Sequence, residues 1–344
     1  MFSGVFHLVI KKLTLLLLLV IAITSAGYFY IKQKVDGYLH QAVAIHSSEI
    51  ITIPSGTSLN GVLTILSEKN WIADSPLSKL VRRLHPELTK IKAGTYQILA
   101  SEALIDVLNK AVDGKEHQFA ITFVEGSRFN EWRALLAQTQ GLTSTLNALS
   151  EAEIAKQLGI DRDKLEGLFL AETYHFTFGT TDLEILQRAH AKLQTLLDKY
   201  WASRQAGLPL KTPYEALILA SIIEKETAIA SERERIASVF VNRLNKRMRL
   251  QTDPTVIYGM GDSYDGNIRK KDLRTPTPYN TYTISGLPPT PIAMAGEDSI
   301  KAALNPEQSN YLYFVASGTG GHVFSKTLTE HNRAVRAYLK QLRK

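Results

Sequence analysis

Residues 13–31 form an unbroken run of 19 uncharged, mostly aliphatic residues. No other segment of this 344-residue chain limits so strongly which structure it can adopt. About twenty helical residues cross the hydrocarbon core of a bilayer. Backbone groups in lipid must be satisfied within the segment, so a single spanning run has to be an α-helix. The run therefore predicts a membrane anchor. A cleaved signal peptide is the alternative, since small residues at 22–26 could allow cleavage, but the length of the run favours a retained anchor.

The charges around this run suggest an orientation. Lysines flank both ends, and a short basic N-terminus usually stays inside the cell. We therefore expect residues 1–34 to be a cytoplasmic tip and a single-pass anchor in the inner membrane, with the bulk of the chain periplasmic. The chain has no cysteine, which is compatible with an oxidising compartment. For an exported protein, its net charge of +7 favours an anionic envelope polymer over nucleic acid as partner; plain solubility is the alternative.

The pattern after the anchor predicts an α+β protein with two further parts. A helical stalk is expected at 32–48, so it begins at the end of the anchor and continues into the next part. Residues 35–120 add short strands and amphipathic helices, which make a small α+β unit. Residues 121–344 are mainly helical and end in a strand at 311–316 that is expected to be buried, a glycine-rich turn, a second strand and a basic helix. Within this second part, residues 250–297 hold six of the twelve prolines and four tyrosines. A long ordered loop region of this kind is usually functional.

The segment 212–227 carries the strongest chemical signal. Thr212 is a helix cap, Pro213 is the first helical residue, and residues 216–223 are apolar except for one serine. Glu224 and Glu226 follow at the C-terminal end, where the helix dipole is negative. Both the dipole and apolar surroundings raise a carboxyl pKa. The pattern therefore predicts a carboxylic acid that can donate a proton near neutral pH.

The spacing of the two glutamates leaves the identity of that acid open. Positions two apart on a helix project about 200° from each other, so only one of them can face a given cleft. Each continues an apolar row of the helix. The alternative is that one or both pair with a buried arginine such as Arg233 or Arg243.

The loop region downstream supplies candidate sugar-binding groups, because aromatic faces and amide or carboxylate side chains suit sugar rings and hydroxyls. They are Gln251, Asp253, Asn280 and the tyrosines at 258, 264, 279 and 282. The alternative for each tyrosine is that it fills a gap in the loop. No metal-ligand motif or nucleotide-binding glycine loop occurs in the sequence, so we expect no metal and no cofactor.

Several strings together resemble the MltG (YceG-like) endolytic murein transglycosylases, and the resemblance extends over nearly the whole chain. The strings are ASIIEKET (220–227), VFVNRL (239–244), MRLQTDPTVIYG (248–259), YNTY (279–282), GLPP (286–289), YLYFV (311–315) and GHVFS (321–325). The resemblance implies a LysM-like subdomain within 35–120 and a lysozyme-like catalytic domain at 121–344. Thr290 departs from the glycine that many members have after the two prolines, which could alter a loop tip.

The resemblance also implies an activity. Such enzymes cut glycan strands of peptidoglycan internally and leave 1,6-anhydro-N-acetylmuramoyl ends, with one glutamate acting as acid and then as base. Other lytic transglycosylases carry this acid as Glu-Ser at the end of an apolar helix, and Glu226-Thr227 is similar, so Glu226 is the expected acid. Gln251, Asp253, Tyr258, Asn280 and Tyr282 are the expected glycan contacts, and cell-wall synthases are potential partners. The alternatives are a lysozyme-like muramidase with Asp253 as second carboxylate, and a non-enzymatic scaffold that binds cell wall.

Overall fold

The computed structural model describes residues 2–342. Its helices are α1 (Phe2–Leu39), α2 (Leu59–Glu68), α3 (Ser78–Leu84), α4 (Leu104–Asp113), α5 (Phe129–Gln138), α6 (Glu151–Gln157), α7 (Asp182–Ala202), α8 (Pro213–Glu226), α9 (Arg233–Asn245), α10 (Asp253–Met260), α11 (Glu297–Leu304) and α12 (Leu328–Leu342). Its strands are β1 (Glu49–Ile53), β2 (Gly94–Ile98), β3 (Phe119–Thr122), β4 (Thr173–Phe176), β5 (Tyr313–Ala316) and β6 (His322–Ser325). The predicted α+β class is confirmed. The chain divides between Phe119 and Ala120 into two compact units.

In the first unit, α1 contains a stretch at Ile10–Leu39 that is long and apolar enough to cross a membrane, with a mean hydropathy of 2.1. The helix ends at Leu39, so the prediction of a helical stalk up to residue 48 was wrong. The physical reason is that Ala42 forms a β-bridge with Ala103, which requires an extended backbone and so prevents the helix from continuing. Val35 and Leu39 are buried in the unit's core, so the end of α1 is part of that core.

The rest of the first unit is built on an antiparallel pair of strands. β1 pairs with β2 from Glu49 opposite Ile98 to Ile53 opposite Gly94. Helices α2 and α4 contribute their apolar faces to the core, including Leu63 and Leu108. Ser58 accepts a hydrogen bond from the N–H of Gly61 and caps α2, as its sequence indicates.

In the second unit, α8 is the central helix. All residues from Ala216 to Ile223 are buried, and α8 contacts α7, α9, α10 and α11. Its one polar interior residue is satisfied at both ends: the Ser221 hydroxyl donates to Ile218 O (2.8 Å) and accepts from Ile292 N (3.0 Å). A helix that is apolar on every side is stable only when it is enclosed in this way. The enclosure fixes the position of its last turn.

Two features of the second unit differ from expectation. Helix α10 lies inside the segment that was expected to be loop, because Pro254 occupies the first turn of a helix, where a missing N–H is harmless. Strand β5 is half-buried instead of buried, since it belongs to a two-stranded hairpin with β6. The turn between these strands contains Gly318 and Gly320 with φ of +80° and +97°, as the glycine-rich sequence predicts.

Candidate active site

The end of α8 positions Glu226 as the last residue of the helix. At the other end, the Thr212 hydroxyl accepts a hydrogen bond from Glu215 N (3.2 Å) and Pro213 begins the helix, as predicted. Thr227 leaves the helix with extended backbone angles (φ −149°, ψ 135°). The buried run behind Glu226 fixes the backbone at this position, and a hydrogen bond from the Thr252 hydroxyl holds the carboxyl group.

The environment of Glu226 favours the protonated acid. The side chain is partly buried, and this burial raises the pKa of Glu226 to about 6. The hydroxyl of Thr252 donates a hydrogen bond to Glu226 Oε1 and opposes this rise. The negative charge of Asp253 adds to it, while His322 and Arg243 act against it. The result is a carboxyl group that changes its charge close to neutral pH.

Glu226 opens into a cavity of about 450 Å³. The cavity is lined by Glu226, Phe240, Arg243, Leu250, Gln251, Thr252, Asp253, Tyr282, Tyr313, Phe314, Leu328, His331 and Asn332. The structure thus brings Gln251, Asp253 and Tyr282, three of the five expected glycan contacts, to the same cavity as the expected acid. The lining combines apolar and aromatic side chains with amide, hydroxyl and carboxyl groups, a combination suited to a sugar.

Hydrogen bonds within the loop region hold the polar residues of this lining in place. Gln251 adopts φ +52°, a conformation uncommon for residues other than glycine, and its N–H donates to Thr281 O (3.2 Å). Thr252 N donates to the Thr281 hydroxyl (3.0 Å). The hydroxyl of Tyr282 donates to Asp253 Oδ1 (2.6 Å). Two distant segments of the loop region therefore form one surface next to Glu226.

Sequence reasoning missed Arg243, Tyr313 and His331 as residues of this cavity. The Arg243 guanidinium donates to Leu312 O (2.6 Å) and Leu250 O (2.7 Å) and lies 5.1 Å from the centre of the Tyr313 ring. The ring of His331 stacks on Tyr313 at 5.2 Å, and burial and Arg243 lower its pKa. A signal for Arg243 was present: it continues the buried row of Ile236 and Phe240 on α9 at helical spacing.

Glu224, the other candidate acid, has a structural environment. Its side chain is 6% exposed, its Oε2 accepts a hydrogen bond from Gly296 N (2.9 Å), and its Oε1 lies 3.7 Å from a guanidinium nitrogen of Arg233. Gly296 is the residue before α11, so Glu224 links the end of α8 to the start of α11. The sequence left open that one of the two glutamates pairs with a buried arginine, and Glu224 pairs with Arg233 in this way.

The two remaining expected contacts lie away from this cavity. Asn280 is buried, and its amide nitrogen donates to the carbonyl oxygens of Asp272, Leu273 and Thr275 at 2.7–3.3 Å. It therefore organises the loop. Tyr258 lines a different cavity, where its hydroxyl donates to Glu166 Oε2 (3.3 Å).

The pKa of Glu226 predicts how activity depends on pH. If the protonated carboxyl is the reactive form, kcat/KM should fall about tenfold per pH unit above about pH 6. In Thr252→Val, loss of the hydroxyl that stabilises the carboxylate should raise the pKa of Glu226 and move this limb to higher pH. A pH–rate profile of both proteins on soluble glycan strands checks this. If the fall in kcat/KM occurred at the same pH in both proteins, the titrating group would not be Glu226.

Comparisons with known proteins agree on one family. A model of the YceG-like family matches residues 51–337. The endolytic murein transglycosylase of Bacillus subtilis is 34% identical over 306 residues, which cover 84% of each chain. That of Streptococcus pneumoniae is 27% identical, and the match covers 95% of this chain but 65% of its relative, so the chain spans less than two thirds of that protein.

A solved structure gives the same answer. The crystal structure of a YceG-like protein from Listeria monocytogenes is 32% identical, covers 83% of this chain and 98% of its own, and superposes with a TM-score of 0.51. The family match extends over most of both compact units. These agreements confirm the resemblance of the sequence strings, and the chain belongs to the YceG-like family.

Proposed function

We propose that this chain is a membrane-anchored endolytic murein transglycosylase. It cleaves peptidoglycan strands between N-acetylmuramic acid and N-acetylglucosamine and leaves 1,6-anhydro-N-acetylmuramoyl ends. The observation that carries the proposal is the placement of Glu226: a carboxyl group with a pKa of about 6, fixed at the end of a buried helix, opening into a cavity with aromatic and polar walls. The names of the bacillar and streptococcal relatives support the same activity.

A single carboxyl group is enough for this reaction. Protonated Glu226 gives its proton to the glycosidic oxygen as the bond from that oxygen to C1 of the muramic acid breaks. The resulting carboxylate then accepts the proton of the C6 hydroxyl of the same sugar, whose oxygen bonds to C1. Glu226 ends in its starting form, and no water molecule is consumed.

The other residues of the cavity bind and orient the strand. Gln251, Asp253 and Tyr282 offer hydrogen-bonding groups, and Tyr313 with the stacked His331 offers an apolar face. Arg243 joins Leu250, at the start of the loop region, to Leu312, just before β5, and places a positive charge near Glu226. Asn280 positions Tyr282 without lining the cavity, since its side-chain oxygen accepts a hydrogen bond from Tyr282 N (2.9 Å).

The proposed location follows from the first unit. Its apolar helix α1 anchors the chain in the inner membrane, and the bulk of the chain lies in the periplasm, where murein strands are assembled. The strand pair β1–β2 with helices α2 and α4 is proposed to be a LysM-like subdomain that contacts the same polymer. Cell-wall synthases are the proposed neighbours.

Product analysis tests the activity directly. The full-length protein in detergent is incubated with un-crosslinked murein strands, and the new ends are identified by mass spectrometry. We expect anhydro ends to make up nearly all of the product. Reducing ends would instead support the muramidase, in which a second carboxylate, Asp253 of the same cavity, would activate water. Strands left intact by folded protein would support the scaffold.

A further inference from the structure

A second cavity lies in the same compact unit and has no part in the proposed chemistry. Its volume is about 340 Å³. Its lining residues are Arg128, Phe129, Asn130, Arg133, Glu151, Lys164, Glu166, Tyr258, Gly261 and Tyr279. Three of these side chains are cationic and two are carboxyl groups. Tyr258, which the sequence suggested as a glycan contact, belongs to this cavity.

The carboxyl groups of this cavity are already engaged. Glu166 is buried at 6% exposure, and it accepts hydrogen bonds from Phe129 N (3.0 Å) and from the Tyr258 hydroxyl (3.3 Å). Burial raises the pKa of Glu166 to about 7, which reduces its negative charge near neutral pH. Glu151 lies 3.4 Å from Lys164 and accepts a hydrogen bond from Leu165 N. The two carboxyl groups therefore do not neutralise all three cationic side chains, and the cavity has an excess of positive charge.

Arg128 supplies that excess. Its guanidinium lies 5.0 Å from the centre of the Tyr258 ring, and within the described residues 2–342 it has no hydrogen-bond acceptor. Arg133, by contrast, donates to the carbonyl oxygens of Leu146 and Leu149. A guanidinium that is open to a cavity and stacked on an aromatic ring is suited to binding a carboxylate, often through two parallel hydrogen bonds.

The aromatic side of the cavity is fixed. The Tyr258 and Tyr279 rings pack with centroids 4.8 Å apart, and the Tyr279 hydroxyl pairs with that of Thr290 at 2.9 Å. Such rings offer an apolar surface to the aliphatic part of a ligand. The cavity thus combines one open cation with an apolar face, which fits a small carboxylate-bearing peptide better than an uncharged sugar.

Helix α10 connects this cavity with that of Glu226. Asp253, at its first position, lines the cavity of Glu226, and Tyr258 lines the second cavity. Five residues of α-helix rise about 7.5 Å, so the two residues are separated along the helix by roughly the size of a sugar ring. Positions five apart project about 140° from each other, so a strand in the cavity of Glu226 reaches the second cavity through a side branch that passes around α10.

We propose that the second cavity binds a carboxylate of the peptide stem on the same murein strand whose glycan backbone occupies the cavity of Glu226. The inference rests on the proposed function for the identity of the strand. Arg128 is the residue that receives the carboxylate, and Tyr258 and Tyr279 pack against the aliphatic part of the stem. The lyase would then prefer strands that still carry their stems over strands that have lost them.

Binding measurements test this separately from cleavage. The parent protein is the full-length Glu226→Gln variant in detergent, and its ligands are un-crosslinked strands with stems and the same strands stripped by an amidase. We expect the parent to bind stem-bearing strands about tenfold more tightly, and Arg128→Gln to reduce this ratio to about one. Arg162→Gln is the matched control, because Arg162 also stacks on a tyrosine, Tyr214, but in another cavity. It should keep the full ratio.

Competition on the parent protein gives a second readout that needs no substitution at Arg128. Free stem peptide should displace stem-bearing strands at concentrations where acetate of equal carboxylate content does not. A parent that binds both strands equally, a ratio unchanged in Arg128→Gln, or acetate as effective as the peptide would overturn the proposal. Absence of anhydro products from the unsubstituted enzyme would instead overturn the proposed function, since the binding ratio does not depend on cleavage.

Discussion

Glu226→Gln is expected to abolish strand cleavage, with a loss of at least about a thousandfold, while the protein stays folded. The amide has nearly the same shape and can still accept the hydrogen bond from Thr252, but it has no proton to give to a glycosidic oxygen. The release of anhydro ends from soluble strands measures the loss, and circular dichroism measures the fold. Residual activity near that of the unsubstituted enzyme would remove Glu226 from the mechanism.

The same substitution should not destabilise the protein above about pH 6. Burial raises the pKa of Glu226 from 4.5 to about 6, so the native state binds this proton more tightly than the unfolded chain does. Stability conferred by that difference is present below about pH 4.5 and is lost as the pH rises to about 6, an effect of about 2 kcal/mol. The glutamine variant carries no such charge, so its melting temperature at about pH 7.5 should equal or exceed that of the unsubstituted protein.

Glu224→Gln is the matched control for this substitution. It lies two residues away on the same helix, has a side chain that is 6% exposed, and contacts Arg233 and Gly296 N. We expect it to keep measurable cleavage and to lose about 1–3 kcal/mol of unfolding free energy, because Arg233 loses a charged partner inside the protein. The reverse pattern, with cleavage lost only in Glu224→Gln, would place the acid at position 224.

Arg243→Met is expected to lower the free energy of unfolding by about 3 kcal/mol or more and to reduce cleavage at least about tenfold. Arg243 is 8% exposed, and its guanidinium donates to the carbonyl oxygens of Leu312, Arg249 and Leu250. Methionine would leave these acceptors unpaired in a buried place. Urea unfolding of the full-length protein measures the first effect, and kcat/KM on soluble strands measures the second.

Arg235→Met on the same helix shows what an arginine contributes when it lies near the surface. Arg235 pairs with Glu307 at 2.9 Å, but its side chain is 40% exposed, so we expect a change of about 0–1 kcal/mol in unfolding free energy. Similar losses in both variants would mean that Arg243 contributes no more than a surface ion pair. The pH dependence of kcat/KM offers a further check. Loss of the Arg243 charge should raise the pKa of Glu226, so the fall in kcat/KM should occur at higher pH.

The fold was predictable where local patterns and burial agree. The cap at Thr212, the first-turn Pro213 and the apolar run behind them predicted α8 with its observed bounds, because all three act within a few residues of one another. Helix α10 was missed because Pro254 and the surrounding loop residues resemble a turn. A proline in the first helical turn and a proline in a loop are locally equivalent, and packing against α8 distinguishes them.

The residue types of the candidate site were predictable from the sequence. Which of these residues lie in the same cavity was harder to predict. Gln251, Asp253 and Tyr282 line the cavity of Glu226, whereas Asn280 is enclosed within the loop and Tyr258 faces a second cavity. All five have side chains that could bind a sugar. Which of them reach the ligand depends on how residues 250–297 turn over α8, and such turns are set by long-range hydrogen bonds such as that from Thr252 N to Thr281.

The sequence alone determined the apolar anchor, the buried helix ending in two glutamates and, through its strings of matching residues, the family. These features depend on the order of neighbouring residues and on the solvent preference of each side chain. The resemblance favoured Glu226 as the acid, but only the tertiary structure showed that the two glutamates have different surroundings. It placed Arg233 and Gly296 beside Glu224, and Thr252 and the open cavity beside Glu226. Those partners come from distant parts of the chain, and the charge state of a carboxyl group is set by whichever groups the fold brings next to it.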